Sequence, residues 1–106
     1  MLSTAQARDL ALSFPEAVEA DHHGRPSFRV AGKIFATLWT PRAMNVMAGE
    51  TQIEAAVADD PDVCSPVHWG KRLSAVRVDL DRADGELLER LLAQAWTRRA
   101  PRRLSS

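Results

Sequence analysis

The stretch from His22 to Trp39 constrains this chain most. Phe28, Val30, Ile34, Phe35, Thr37, Leu38 and Trp39 are β-branched, aromatic or aliphatic, and the run is broken only by Ala31-Gly32, so it reads as a β-hairpin on which the rest must pack. A two-residue type I′ loop of Ala31 and Gly32 would ask Ala31 for a positive φ, which a Cβ resists. A type I turn over Arg29 to Gly32, with Gly32 as a left-handed bulge residue, avoids this and is the expected register. It places Phe28, Ile34, Ala36 and Leu38 on one face and Ser27, Arg29, Lys33, Phe35, Thr37 and Trp39 on the other. That second face is basic near the turn and aromatic further along.

At 106 residues the chain is long enough for one core and short enough that loss of a helix should unfold it. No apolar run approaches the roughly 18 residues of a membrane span. Arg8 and Asp9 stand where a signal peptide needs an apolar centre, so no export signal is expected and the cytoplasm is the expected location. The single cysteine, Cys64, cannot make an internal disulfide, which suits a reducing compartment.

Net charge is zero, yet the signs are segregated. Between His22 and Gly49 stand Arg25, Arg29, Lys33 and Arg42 with no carboxylate, whereas Glu50, Glu54, Asp59, Asp60 and Asp62 are unopposed. Lys71, Arg72 and Arg77 make a second basic segment, and the run from Asp79 to Glu89 is acidic except for Arg82. Carboxylates favour helix starts and cations helix ends, but that preference does not explain basic strands.

In chain order, Ser3 or Thr4 can cap a helix whose Ala7, Leu10, Ala11 and Phe14 recur at helical spacing, ended by Pro15. Glu16 to Asp21 is a weak edge strand, followed by the hairpin, a turn at Thr40-Pro41-Arg42 and a strand through Met44 and Val46. Thr51 with Glu54 reads as a capping box for a second helix carrying Ile53, Ala56 and Val57. Asp62 to Arg72 reads as an irregular loop. Ser74, Val76, Val78 and Leu80 alternate as a further strand, and Asp81 or Asp84 caps a last helix striped with Leu87, Leu88, Leu91, Leu92, Ala95 and Trp96.

The expected order is α-β-β-β-β-α-β-α. It builds an α+β two-layer sandwich, an antiparallel sheet of about five strands with helices on one face, over residues 1–97. A basic tail, 98–106, is expected to be flexible, with Arg98, Arg99, Arg102 and Arg103 serving the helix dipole, solubility or nucleic-acid affinity.

The stretch Gly24 to Ala36, then Asp60-Pro61, then Ser65-Pro66-Val67-His68-Trp69-Gly70-Lys71-Arg72, and the leucine-rich last helix together resemble the MmcQ/YjbR family of small bacterial proteins. The resemblance spans nearly the whole chain. It implies a CyaY-like α+β fold, described for some members as a double wing and suspected of binding DNA, and it implies no known reaction. This chain departs from the family in having Leu73-Ser74 where members often carry a tryptophan after the lysine segment.

Two surfaces are candidates. Arg25, Arg29 and Lys33 on the hairpin, with Lys71 and Arg72 on the second basic segment, are the candidate nucleic-acid contacts, two basic wings able to straddle a duplex. The plainer reading is a solvated strand face guarded against edge pairing. Phe35, Trp39, His68 and Trp69 are the candidate lining of a protein or small-ligand pocket between the sheet and the 62–72 loop; the plainer reading has that loop merely covering the aromatics.

His22, His23, Cys64 and His68 are the only transition-metal candidates beside carboxylates. Pro66 between Cys64 and His68 and the want of a second compact pair argue against zinc, so no metal or cofactor is expected. Adjacent His22 and His23 read as turn surface or as fixing the Gly24 bend. No nucleophile, base and orienting group can be assembled, so no enzyme is expected. The expected partners are DNA, a protein or a small molecule, with the chain a monomer or weak dimer.

Overall fold

The structure is a computed structural model and describes residues 1–105; Ser106, the end of the expected tail, lies outside the described residues. The elements run α1 (Thr4–Leu12), β1 (Val18–His22), β2 (Arg25–Val30), β3 (Lys33–Thr40), β4 (Ala43–Val46), α2 (Glu50–Asp59), β5 (Cys64–Trp69), β6 (Arg72–Asp79), α3 (Gly85–Arg99) and α4 (Arg102–Ser105). This is the expected α+β sandwich with one strand more. Six antiparallel strands form a single sheet in the order β1-β2-β3-β4-β6-β5. Among the described residues no helix is long and apolar enough to cross a membrane.

The helices cover one face. α3 lies on β3 and β4, α2 on β5 and β6, and α1 on α3. Between the layers sit Phe28, Val30, Ala36, Leu38, Met44, Val46, Val76 and Val78 from the sheet and the Leu87, Leu88, Leu91, Leu92, Ala95 and Trp96 stripe of α3. Phe14 meets Phe35 edge-on at 6.3 Å and stacks on Trp96 at 6.2 Å, whose indole donates to the Pro15 carbonyl. Such aromatic contacts add about 1 kcal/mol each beyond area burial.

The caps sort as follows. Ser3 caps α1, its hydroxyl accepting from Gln6 while Gln6 reaches back to the Ser3 amide. Asp84, not Asp81, caps α3 by accepting from Leu87 at 2.8 Å; Asp81 is engaged by Arg42. The expected Thr51–Glu54 box is not what opens α2. Gly49 stands at the N-cap position, and Gln52 Oε1 accepts from the Gly49 amide.

The hairpin register corrects the expectation. Val30 pairs with Lys33 across a two-residue loop, with Ala31 at φ 50° and Gly32 at φ 78°, the positive pair of a type I′ turn. The bulge falls inside β3 instead: Phe28 pairs with Ala36 and Arg29 with Ile34, leaving Phe35 as the extra residue. Core demand decides the matter. The bulge turns Phe35 inward to full burial and leaves Ile34 on the outer face, and burying a phenylalanine is worth about 1.5–3 kcal/mol. A left-handed alanine costs roughly 1–2 kcal/mol.

The 62–72 segment corrects a second expectation. Cys64–Trp69 is strand β5, paired along its length with β6. Pro66 hid it, but β5 is an edge strand, where a proline is tolerated because one side of the strand needs no ladder partner. The tail differs as well. α4 follows Pro101, Leu104 packs against the core, and Arg103 makes two hydrogen bonds to Glu16 at 2.9 and 3.1 Å, so the tail is tied back as far as Leu104.

Candidate functional site

The sheet face opposite the helices is a half-enclosed groove of about 710 Å³. Strand alternation puts Arg25, Ser27 and Arg29 of β2, Thr37 and Trp39 of β3, and Asn45 of β4 on this side, and the pairing of Ser27 with Thr37 and of Thr37 with Asn45 sets them in a row across the sheet. All but Ser27 line the groove, with His22 and His23 from the β1–β2 turn, Gly32, Lys33 and Ile34 beside the β2–β3 turn, and Met47 after β4. Trp69 closes it from β5, and Arg99 reaches in from the end of α3.

Its floor is polar and buried: Ser27 is fully buried, and Thr37 and Asn45 are nearly so. Ser27 donates to the Ala20 carbonyl and accepts from Arg29 Nε, while Asn45 Oδ1 accepts from Arg77 Nε at 3.0 Å. Beyond that bond, Asn45 keeps its amide N–H donors and one further acceptor site on its oxygen.

Four cations line the walls, Arg25, Arg29, Lys33 and Arg99, and among the described residues no carboxylate does. Trp39 organises two guanidinium groups. It is the extra residue of a second β3 bulge, between the Leu38–Met44 and Thr40–Ala43 pairs, and bulges re-aim side chains. Arg25 lies 3.9 Å from its ring centroid and Arg77 5.1 Å. Arg25 Nε donates to the Trp39 carbonyl, leaving its outer N–H groups for an anion. Such cation–π contacts are worth about 0.5–1 kcal/mol when exposed, and they hold the guanidinium planes in place.

Arg99 is the crowded cation. Burial, with Arg98 and Arg72 nearby, pushes its pKa down, and its buried Nε has no hydrogen-bond partner among the described residues. Trp69 is the most open aromatic at 59% exposure.

Of the residues singled out in the sequence, Arg25, Arg29, Lys33, Trp39 and Trp69 are brought together in this groove. Lys71 and Arg72 are exposed at the β5–β6 turn, outside its lining. Phe35 is not a pocket residue, because the bulge turns it into the core. Nor is His68, which is exposed but offset from Trp69 by one residue and by the bulge after Val67. The expected cleft between sheet and loop is replaced by the open face itself.

Asn45 and Met47 are not among the sequence candidates, and Thr37, Arg77 and Arg99, named there as an outer-face residue, a basic-segment residue and a tail residue, are not assigned to a common site. Alternation about Val76 and Val78 places Arg77 on the outer side; the sequence offers Arg99 only as part of a basic tail, and it joins the groove through the path of α3.

His22 and His23 both face the groove with ring centroids 4.5 Å apart. The bend that follows them is fixed by Asp21, whose carboxylate accepts from the Gly24 amide at 3.2 Å. Cys64 is buried in the core with its thiol pushed up to about 11 by burial and, second, by Asp60. Among the described residues no three His, Cys, Asp or Glu side chains gather as a metal set.

A solved structure, the crystal structure of Deinococcus radiodurans protein DR2400 with its DUF419 domain, is similar to this one with a TM-score of 0.75 at 20% identity, over 92% of this chain and 78% of that one. That likeness speaks for the fold. No curated protein matches the chain. The YjbR family model matches residues 12–98, from the end of α1 through nearly all of α3, and the chain belongs to the YjbR family.

Proposed function

We propose that this protein is a non-catalytic nucleic-acid-binding module of low sequence specificity, with the open sheet face as its contact surface. The observation that carries the reading is the groove lined by Arg25, Arg29, Lys33 and Arg99 with no carboxylate among the described residues, in a chain of zero net charge. Phosphate contacts need positive charge held in place, and they dominate nucleic-acid affinity. Cys64, the one thiol, is buried with its pKa raised, which disfavours it as a nucleophile, and the reading therefore assigns no thiol chemistry to the groove.

The test is charge reversal. Lys33 is exposed, so Lys33→Glu should keep the melting temperature and weaken binding of a labelled DNA about tenfold or more, as expected for a phosphate contact turned repulsive. Equal binding by parent and variant would dismiss the proposal.

A second reading, a small-ligand module using the same groove, is favoured by its volume, which lies within the roughly 300–1,000 Å³ of ligand sites, and by its buried polar floor of Thr37 and Asn45. A thermal-shift screen of anionic aromatic compounds, with Trp39→Ala as control, separates the two: stabilisation by a small molecule without DNA binding favours the second.

A further inference from the structure

We propose that the preferred occupant of the groove is single-stranded nucleic acid, with its phosphates on the arginine-rich wall and an unpaired base on Trp69. The inference rests on the nucleic-acid reading above and narrows it.

The placement of charge behind the hairpin tips is the first argument. The tips that would straddle a duplex are Ala31-Gly32 and Gly70-Lys71, and Lys71 is the one cation among those four residues. Arg25, Arg29 and Arg99 lie back in the groove, and Arg25 sits 3.9 Å from the Trp39 ring centroid and is held by the Trp39 carbonyl. A rigid duplex meets the rim first, whereas a single strand, with free backbone torsions, enters the groove and reaches these groups.

The second argument is the aromatic group. Trp69 presents 59% of its surface at the mouth of the groove; a paired base within a duplex cannot stack on it, but an unpaired one can. The floor adds a third. Thr37 and Asn45 offer a hydroxyl and an amide at the groove bottom, the groups that bond a base edge. Arg99, half-buried near Arg98 and Arg72 with a buried Nε that has no partner among the described residues, is a cation that an arriving phosphate would neutralise.

The experiment titrates the full chain into labelled oligothymidine and a blunt duplex of equal length at about 50 mM salt, comparing parent, Trp69→Ala and Trp69→Phe. The expected result is that the parent binds the strand about tenfold more tightly than the duplex. Trp69→Ala should lose roughly five- to 160-fold on the strand, the range for one base stacked on an aromatic, and less on the duplex; Trp69→Phe should restore most of it.

Duplex bound as tightly as strand, or equal loss on both in Trp69→Ala, would overturn the single-strand inference while leaving the nucleic-acid reading in place. Displacement of the strand by an equal concentration of thymidine monophosphate would overturn it in favour of a mononucleotide site. Binding of neither DNA would dismiss the nucleic-acid reading itself. Melting curves of the variants confirm folding, which the exposure of Trp69 favours.

Discussion

Removing one groove cation should change the salt dependence of binding by a definite step. Four cations line the groove, Arg25, Arg29, Lys33 and Arg99, and Arg77 flanks it on Trp39. For a single strand the logarithm of affinity falls against the logarithm of salt with a slope of about −0.7 per neutralised phosphate. Four contacts give a slope of about −2.8, and five about −3.5. From about 50 to about 200 mM salt, affinity should therefore fall roughly 50- to 130-fold. Lys33→Gln removes one exposed contact and should lessen the slope by about 0.7. Arg90, exposed on the helical side beside α2, is the control, and Arg90→Gln should leave the slope alone. Fluorescence anisotropy at four or more salt concentrations reads both. A parental slope near zero, or a slope that responds to Arg90→Gln and not to Lys33→Gln, would refute the placement of the phosphates.

Two further outcomes concern the fold. Ala31→Asn places at φ 50° a residue that accepts the left-handed region, and should stabilise by about 0.5–1 kcal/mol, raising the melting temperature by roughly 2–6 °C; a lower melting temperature would speak against the two-residue turn. Cys64 carries a thiol raised from 9.0 to about 11, so its contribution is fully present below pH 9.0 and is lost as pH rises through about 11. The chain has no tyrosine, and urea midpoints at pH 8 and pH 10.5 should fall in the parent more than in Cys64→Ala; an equal fall in both would mean that the thiol ionises alike folded and unfolded.

What could be read from the sequence was what local chemistry and periodicity decide alone. The α3 stripe, the hairpin within His22 to Trp39 and the turn at Pro41 each follow from a short pattern whose tertiary partner hardly matters, whereas the choice of Asp84 over Asp81 as the α3 cap needs the structure. Where two local rules compete, tertiary packing chose. At Ala31 the rule against a positive φ lost to the burial of Phe35, which shifted the bulge from the turn into β3 and exchanged Ile34 and Phe35 between faces. At Pro66 the rule against proline in strands lost because β5 is an edge.

The candidate site was legible in part for the same reason. Arg25, Arg29, Lys33 and Trp39 share one hairpin and are legible from it, and Trp69 is legible as a candidate pocket aromatic, although the sequence assigns the cations and the aromatics to two separate surfaces. Asn45, Arg77 and Arg99 join them through strand order and the docking of α3, which are long-range facts. Lys71 and His68 were close to the site in sequence and fall outside its lining because β5 and β6 turn them away.

The most direct measurement of the central claim is a titration of isotope-labelled protein with oligothymidine, followed by the three tryptophan indole N–H signals. Trp39 and Trp69 lie on the open groove, whereas Trp96 is buried on the helical side with its indole bonded to Pro15. Occupation of the groove should shift the Trp39 and Trp69 signals and the backbone amides of Arg29, Thr37 and Asn45, with Trp96 unmoved. Shifts confined to Trp96 and the outer surfaces of α2 and α3, or no shifts under conditions where anisotropy reports binding, would contradict it.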